Sequence, residues 1–561
     1  MKKQQQKQQL VKIIPLGGLG EIGRNMTVFE YGNDRIIVDL GLRFPDEDMP
    51  GIDFIIPNVQ YLKNTKKRLL GVLLTHGHYD HIGAIPYLIK ELNYPNIYTA
   101  PLTRGLVLKR QEEFSNSKPL NIEKLTLNQP LILGPFRIEA FHQNHNIPDS
   151  LGLSIGTPIG RIIHTGDFKF DFEPIGDKPA DLMPIARFGQ QGVLLLMADS
   201  TGAEKEGHAI TEKSIQDNLE TIFENAAGRL FIATFSSLIT RIQEVINLSE
   251  KHGRKVAIEG YSMKSNVQIA KELGYLKIRR ETLVTAKQAI KLNPNQITIL
   301  CTGAQGESGA ALMRIVYGEH RYLKIQRQDT MVFSSSVIPG NERVVQGLKD
   351  DICRQGAKVY HNQMMDIHSG GHGQIEDLKM MISLLRPKFF MPIHGNFSML
   401  VNHAEIAQAL GIKPENTLIG QNGEVLHLTS DRFYKSETKA PVNYVMVDGL
   451  GVGDVGEIVL RDRKTMSRDG MFVIVASIDS KSHQVKDNID IISRGFVYLK
   501  ESKKLLDDTR ALVRDLLNRE LGPQRSVNSV YLREILREKV GQFLFDQTRR
   551  RPMVLPVITE L

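Results

Sequence analysis

The chain is poor in cysteine: 561 residues carry two, Cys301 and Cys353. Two cannot build a disulfide framework, so a reducing, cytoplasmic setting is expected. No apolar run approaches the roughly 20 residues of a membrane span. The opening MKKQQQKQQ has no apolar core behind it, which speaks against a secretory signal and for a disordered basic tail over 1–9. Acid is also short: the net charge is +8 and the pI about 9.1, a balance that modestly favours a polyanionic partner. The length suggests about three or four domains.

One glycine motif needs explaining. Gly18, Gly20 and Gly23 in GLGEIG match the dinucleotide fingerprint G-x-G-x-x-G. That fingerprint requires a helix after it, where the pyrophosphate would sit. Here Met26 to Tyr31, Gly32-Asn33-Asp34 and Arg35 to Asp39 read as strand, turn and strand. The glycines therefore serve another chemistry.

That chemistry begins at Thr75-His76-Gly77-His78-Tyr79-Asp80-His81, behind the apolar run Arg68 to Leu74. Three imidazoles and a carboxylate within six positions suit zinc-like ions, and the spacing allows two adjacent ones. Further candidates close other strand-like runs: His145 after Phe136 to Phe141, Asp167 after Arg161 to His164, and His394 after Lys388 to Ile393. Taken alone, His145 or His394 would more often be structural. His142 and His164 have no pattern that selects them as ligands.

The set resembles the metallo-β-lactamase superfamily, and the resemblance implies roles. His76, His78 and His145 would hold one ion; Asp80, His81 and His394 the other; Asp167 would bridge; Asp39 would orient the loop. The opening glycines would turn between the first two strands beside the site. Two such ions would acidify a water and polarise the electrophile. Zinc is the expected metal, with manganese or magnesium as alternatives.

Between Asp167 and His394, apolar strands alternate with amphipathic helices, which gives an α/β region with a largely parallel sheet. An insertion there resembles the β-CASP group of nucleic-acid-processing enzymes. Ala198-Asp199-Ser200-Thr201 matches its acidic motif, and His368-Ser369-Gly370-Gly371-His372-Gly373 its histidine motif. Leu16 to Asn25, His164 to Asp171, Cys301 to Glu307, Ser334-Ser335-Ser336, Val447-Asp448-Gly449 and Ser493 to Tyr498 carry the likeness further, to the bacterial ribonuclease J family. Tyr79 departs from that family's frequent acidic residue, and HSGGHG from its familiar HTSGHG.

The resemblance implies a metallo-β-lactamase αββα sandwich, split over 10–207 and 365–435, with a β-CASP domain at 208–364. A linker at 436–445 would lead to a small α/β domain at 446–561, the expected seat of a homodimer or homotetramer. The implied activity is 5′-to-3′ exonuclease on 5′-monophosphorylated single-stranded RNA, with endonuclease activity, in RNA decay and in rRNA and mRNA maturation. Asp80, Asp199 and His372 would be catalytic, with His372 the general acid. Ser236, Ser237 and the loop His368, Ser369, Gly370, Gly371 and His372 would hold the terminal phosphate. RNA-decay or ribosome-associated proteins are possible partners; a membrane is not. A small-molecule hydrolase of the same fold would leave the insertion unexplained, and a non-catalytic RNA-binding subunit would leave seven intact ligands unexplained.

Overall fold

The computed structural model describes residues 9–46, 48–114, 118–307, 309–338, 340–449, 451–479, 482, 484–486, 488–497, 502–521 and 529–560. The basic tail lies outside the described residues, apart from its last residue. So does Tyr498. The chain divides into two compact units, the first formed by residues up to 44 with 55–445, the second by 45–54 with 446–561.

The first unit contains a sandwich of two sheets. An eight-stranded sheet runs in the order Phe433–Lys439, Glu424–Leu428, Val11–Gly17, Met26–Tyr31, Asp34–Val38, Arg68–Leu73, Ile97–Thr99, Ile122–Lys124. A six-stranded sheet runs Phe389–Ile393, Leu195–Asp199, Gly160–His164, Leu151–Thr157, Phe136–His142, Leu131–Leu133. Alternation along each strand builds the layers. Ile13, Phe29, Ile36 and Leu73 meet Phe136, Ile155, Leu195, Met197, Phe389 and Met391 in the core between the sheets. Leu196, Ala198 and Phe390 point the other way, into helices Leu182–Gln191, Ile375–Leu385 and Phe397–Ala409. Both faces of the second sheet are thus covered, which explains its near-continuous apolar runs.

The same unit carries a six-stranded all-parallel sheet, ordered Leu283–Val284, Lys255–Glu259, Ile297–Cys301, Leu230–Ala233, Thr330–Phe333, Lys358–His361. The amphipathic helix after Leu230–Ala233 spans Ile239–Lys251.

Residues 436–439, read from sequence as linker, are instead the end of strand Phe433–Lys439, paired with Glu424–Leu428. Residues 45–54, read as part of the metal domain, belong to the second unit. There Asp53 N donates to Val447 O at 2.9 Å, and Arg463 Nη1 donates to Gly51 O at 3.0 Å. The same unit holds a three-stranded sheet, Asp490–Arg494, Met471–Ile478 and Met553–Glu560, with helices Glu457–Asp469, Lys503–Glu520 and Ser529–Thr548. Phe472, Ile474, Val513, Leu536 and Val540 form its core. Among the described residues no helix is long and apolar enough to cross a membrane.

Candidate metal centre

The centre forms where strand ends of both sandwich sheets converge. Gly160–His164, Leu195–Asp199 and Phe389–Ile393 lie parallel and in register, so Asp167, Asp199 and His394 emerge at one edge. Strand Arg68–Leu73 of the facing sheet delivers the loop Thr75 to His81. Asp39 fixes that loop. Its Oδ1 accepts the Thr75 amide at 2.8 Å, and its Oδ2 meets the Thr75 hydroxyl at 2.9 Å and His81 Nδ1 at 2.7 Å.

Three groups of candidate ligand atoms result among the described residues. Two are independent sets, and Asp167, Asp199, His372 and His394 make one that overlaps the second of them. His76, His78 and His145 form one: His76 Nε2 and His145 Nε2 each lie 3.1 Å from His78 Nδ1. Asp80, His81, Asp167 and His394 form the other. Asp167 Oδ2 stands between them. It is 3.7 Å from His76 Nε2, 3.8 Å from His145 Nε2, 3.3 Å from His81 Nε2 and 3.6 Å from His394 Nε2. Tetrahedral zinc bound at about 2.0–2.1 Å sets its donors roughly 3.3 Å apart, so these spacings fit. The donor set fits as well, since His394 Nε2 and Asp167 Oδ1 are buried without a hydrogen-bond partner.

The far nitrogens of His76, His145 and His394 are already spoken for, and this fixes those three rings. His76 Nδ1 lies 3.0 Å from Thr75 Oγ1, His145 Nδ1 lies 2.6 Å from Gly371 O, and His394 Nδ1 lies 3.0 Å from Asn25 Oδ1. Burial, with neighbouring imidazoles adding repulsion, holds His76 and His145 well below the ordinary histidine value. Burial takes His78 down to about 4. These rings are neutral, as ligation requires. His81 differs: burial works against its charge, but Asp167, Asp80 and Asp39 raise it well above the ordinary value. A proton must leave His81 when a cation binds.

His372 lies against the second group. Its ring stacks on His394, with centroids 5.5 Å apart and 19° between planes, and its Nδ1 is 2.7 Å from Asp199 Oδ2. Burial lowers its basicity, but the Asp199 carboxylate prevails and raises it to about 9. Asp199 also accepts from the Thr201 amide and hydroxyl.

The other residues singled out in the sequence lie outside the ligand groups. Ser236 and Ser237 lie half-buried in the turn between strand Leu230–Ala233 and helix Ile239–Lys251. Neither caps that helix: Leu238 holds the cap position, with no side-chain cap bond. The adjoining Phe235 ring is 6.5 Å from that of His368, so this turn meets the 368–372 loop. Gly370 O accepts from Asn146 Nδ2 at 3.0 Å. His368 is buried with Nδ1 unpartnered, and burial lowers it to about 3. His164 Nδ1 accepts the Gly166 amide at 3.1 Å, and His142 Nε2 lies 3.3 Å from Lys178 O; neither belongs to the ligand groups.

Sequence reasoning missed Asn25, Asn146 and Arg241. Asn25 had a signal, since it closes the unexplained glycine motif. Arg241 had none, because it looks like one more polar residue on an amphipathic helix. It is buried, donating to Ser334 Oγ and Ile367 O at 2.6 Å each and paired with Glu212 at 2.7 Å and Glu244 at 2.6 Å.

Comparison with known proteins gives the same arrangement along the chain. Residues 19–214 match the metallo-β-lactamase superfamily, 227–352 the ribonuclease J β-CASP domain, 361–416 the zinc-dependent metallo-hydrolase RNA specificity domain, and 458–561 the ribonuclease J C-terminal domain. Ribonuclease J 1 of Streptococcus pyogenes is 40% identical over 552 residues, covering 98% of this chain and 97% of its own. Ribonuclease J of Thermus thermophilus is 40% identical over 557 residues, covering 98% and 95%. A solved Enterococcus faecalis protein of unknown function shares the fold at 15% identity, with a TM-score of 0.54 over 75% of this chain and 100% of that one.

Proposed function

The chain belongs to the ribonuclease J family and is a metal-dependent ribonuclease; on that premise we propose that it degrades single-stranded RNA from a 5′-monophosphate end and also cuts internally. The observation that carries the metal-dependent part of this reading is the position of Asp167 Oδ2 within 3.3–3.8 Å of histidine nitrogens from both groups. His76, His78 and His145 would hold one ion, and Asp80, His81 and His394 the second, with Asp167 shared. Zinc is the favoured metal because the donors are nitrogen-rich and tetrahedrally spaced. When bound, such ions supply a nucleophile at neutral pH and offset charge on the phosphoryl oxygens.

The chain's own groups do the rest. With Nδ1–H donating to Asp199, His372 carries its second proton on Nε2 and delivers it to the departing oxygen. Asp199 orients the ring and keeps it charged. Ser236, Ser237 and the 368–372 loop offer hydroxyl and amide donors to the terminal phosphate. The second unit is the proposed seat of a homodimer or homotetramer. The scarcity of cysteine supports a cytoplasmic site of action.

A cleavage time course on RNAs labelled at either end, with and without chelator, tests the reading. Metal-dependent release of mononucleotides from the 5′ end is expected. Turnover of thioesters or lactones in place of RNA would transfer the site to small-molecule hydrolysis, and RNA binding without cleavage to a non-catalytic subunit.

A further inference from the structure

The glycine motif Gly18 to Gly23 leads into strand Met26–Tyr31 rather than a helix, and it approaches the metal centre through one amide. Asn25 touches three of the four residues in the second ligand group. Its Oδ1 is 3.0 Å from His394 Nδ1, its Nδ2 donates to Asp80 O at 3.1 Å, and Nδ2 also lies 3.1 Å from His81 Nε2. The backbone repeats the link, since Asn25 N donates to Asp80 O at 3.0 Å.

The amide can face only one way. Asp80 O is an acceptor and requires the NH2 side, so Oδ1 is left for His394. Nδ1 of His394 must then carry a hydrogen, and the lone pair falls on Nε2, the buried atom without a partner. We infer that Asn25 is a positioning residue: it sets the tautomer of His394 and locks it to Asp80, so that ligands from distant parts of the chain form one site. This rests on the two-ion reading above.

The glycines and their neighbours hold Asn25 in place. A Cβ at Gly18 (φ +89°) would stand 2.3 Å from Asn25 Oδ1, so the motif must be bare where the amide packs. Gly18 O accepts the His394 amide at 3.0 Å, and Leu19–Gly20 pairs with Gly395–Asn396 in parallel. These bonds hold His394 at φ +51°, a left-handed conformation that only surrounding structure can impose. Behind them Arg24, almost fully buried, donates Nε and Nη2 to Glu21 Oε1 at 3.0 and 2.8 Å.

The test is zinc titration of the full chain after metal stripping, with chelator competition and a thermal melt. Two equivalents are expected for wild type. Asn25→Ala should keep one tight equivalent, on His76, His78 and His145, while the second weakens about 10- to 100-fold. His394→Ala marks complete loss of that second ion. Asn25→Asp should fall between, because a carboxylate keeps the acceptor for His394 but loses the donor to Asp80. It also carries the test if Asn25→Ala folds poorly. Unchanged affinities in the Asn25 variants, or both affinities falling together with the melting temperature, would overturn the assignment. A wild-type chain that takes up a single zinc would defeat the two-ion reading instead. Asn25 would then stand or fall on whether its variants weaken that one ion.

Discussion

The carbonyl of Gly371 accepts His145 Nδ1 at 2.6 Å, tying the proposed phosphate-binding loop directly to a candidate metal ligand. Gly371 has φ +83°, and a Cβ there would lie 2.6 Å from His145 Nδ1. Gly371→Ala must therefore move the loop or turn the ring. Zinc affinity at the His76, His78 and His145 group should drop roughly 10-fold or more, with cleavage falling alongside. Chelator competition and RNA turnover on the same preparation check this, and native values for both would release the loop from the site.

The proposed ligands give a second expectation. His78→Ala or Asp80→Ala should abolish RNA cleavage while the far-ultraviolet circular dichroism spectrum stays native, because the sandwich core does not run through these side chains. Wild-type turnover in metal-stripped buffer would sink the metal assignment.

The buried charges behind the loop give a stability prediction. Glu212 pairs with Arg241 at 2.7 Å and Lys169 at 2.9 Å. Burial opposes its charge, but Arg241 and Lys169 lower its pKa to about 2. A carboxylate depressed in the folded state contributes stability above its unfolded pKa, near 4.3–4.5, and that contribution fades as pH falls toward about 2. Glu212→Gln takes one carboxylate from two buried cations that keep Asp171 and Glu244 beside them, and should cost about 1–3 kcal/mol at neutral pH. Its stability should also fall less steeply than wild type between those pH values. Urea melts at several pH values read both effects, and parallel acid limbs would rule the network out as their source.

RNA affinity should fall steeply with salt, with a log–log slope of several negative units if several phosphates are neutralised. Filter binding across a salt series measures it. A flat response would separate recognition from the phosphate backbone.

The terminal pocket predicts selectivity. A triphosphate adds bulk and charge where Ser236, Ser237 and the 368–372 loop would close around one phosphate. Mononucleotide release should be faster from 5′-monophosphate than from 5′-triphosphate RNA, and a bulky residue at Ser236 or Gly370 should erase that difference. Cleavage at internal sites should change far less. Equal rates from matched RNAs would remove the pocket.

The sequence by itself determined the local elements and the donor chemistry. Alternation of period two is visible in Phe136 to Phe141, and a helical face in Ile239, Ile242, Val245 and Ile246. The histidine-aspartate cluster after Leu74 is contiguous, so its chemistry could be read directly. Only the tertiary structure decided which donors meet. Asp167 and His394 come within 3.6 Å because parallel strands far apart in the chain align their ends, and strand register is not written at either residue. The transfer of residues 45–54 to the second unit depends likewise on a distant segment, since Asp53 N donates to Val447 O. Asn25 shows the same limit. Its identity was legible at the end of a glycine motif, but the amide gains its role only where folding brings Asp80 and His394 to its two ends.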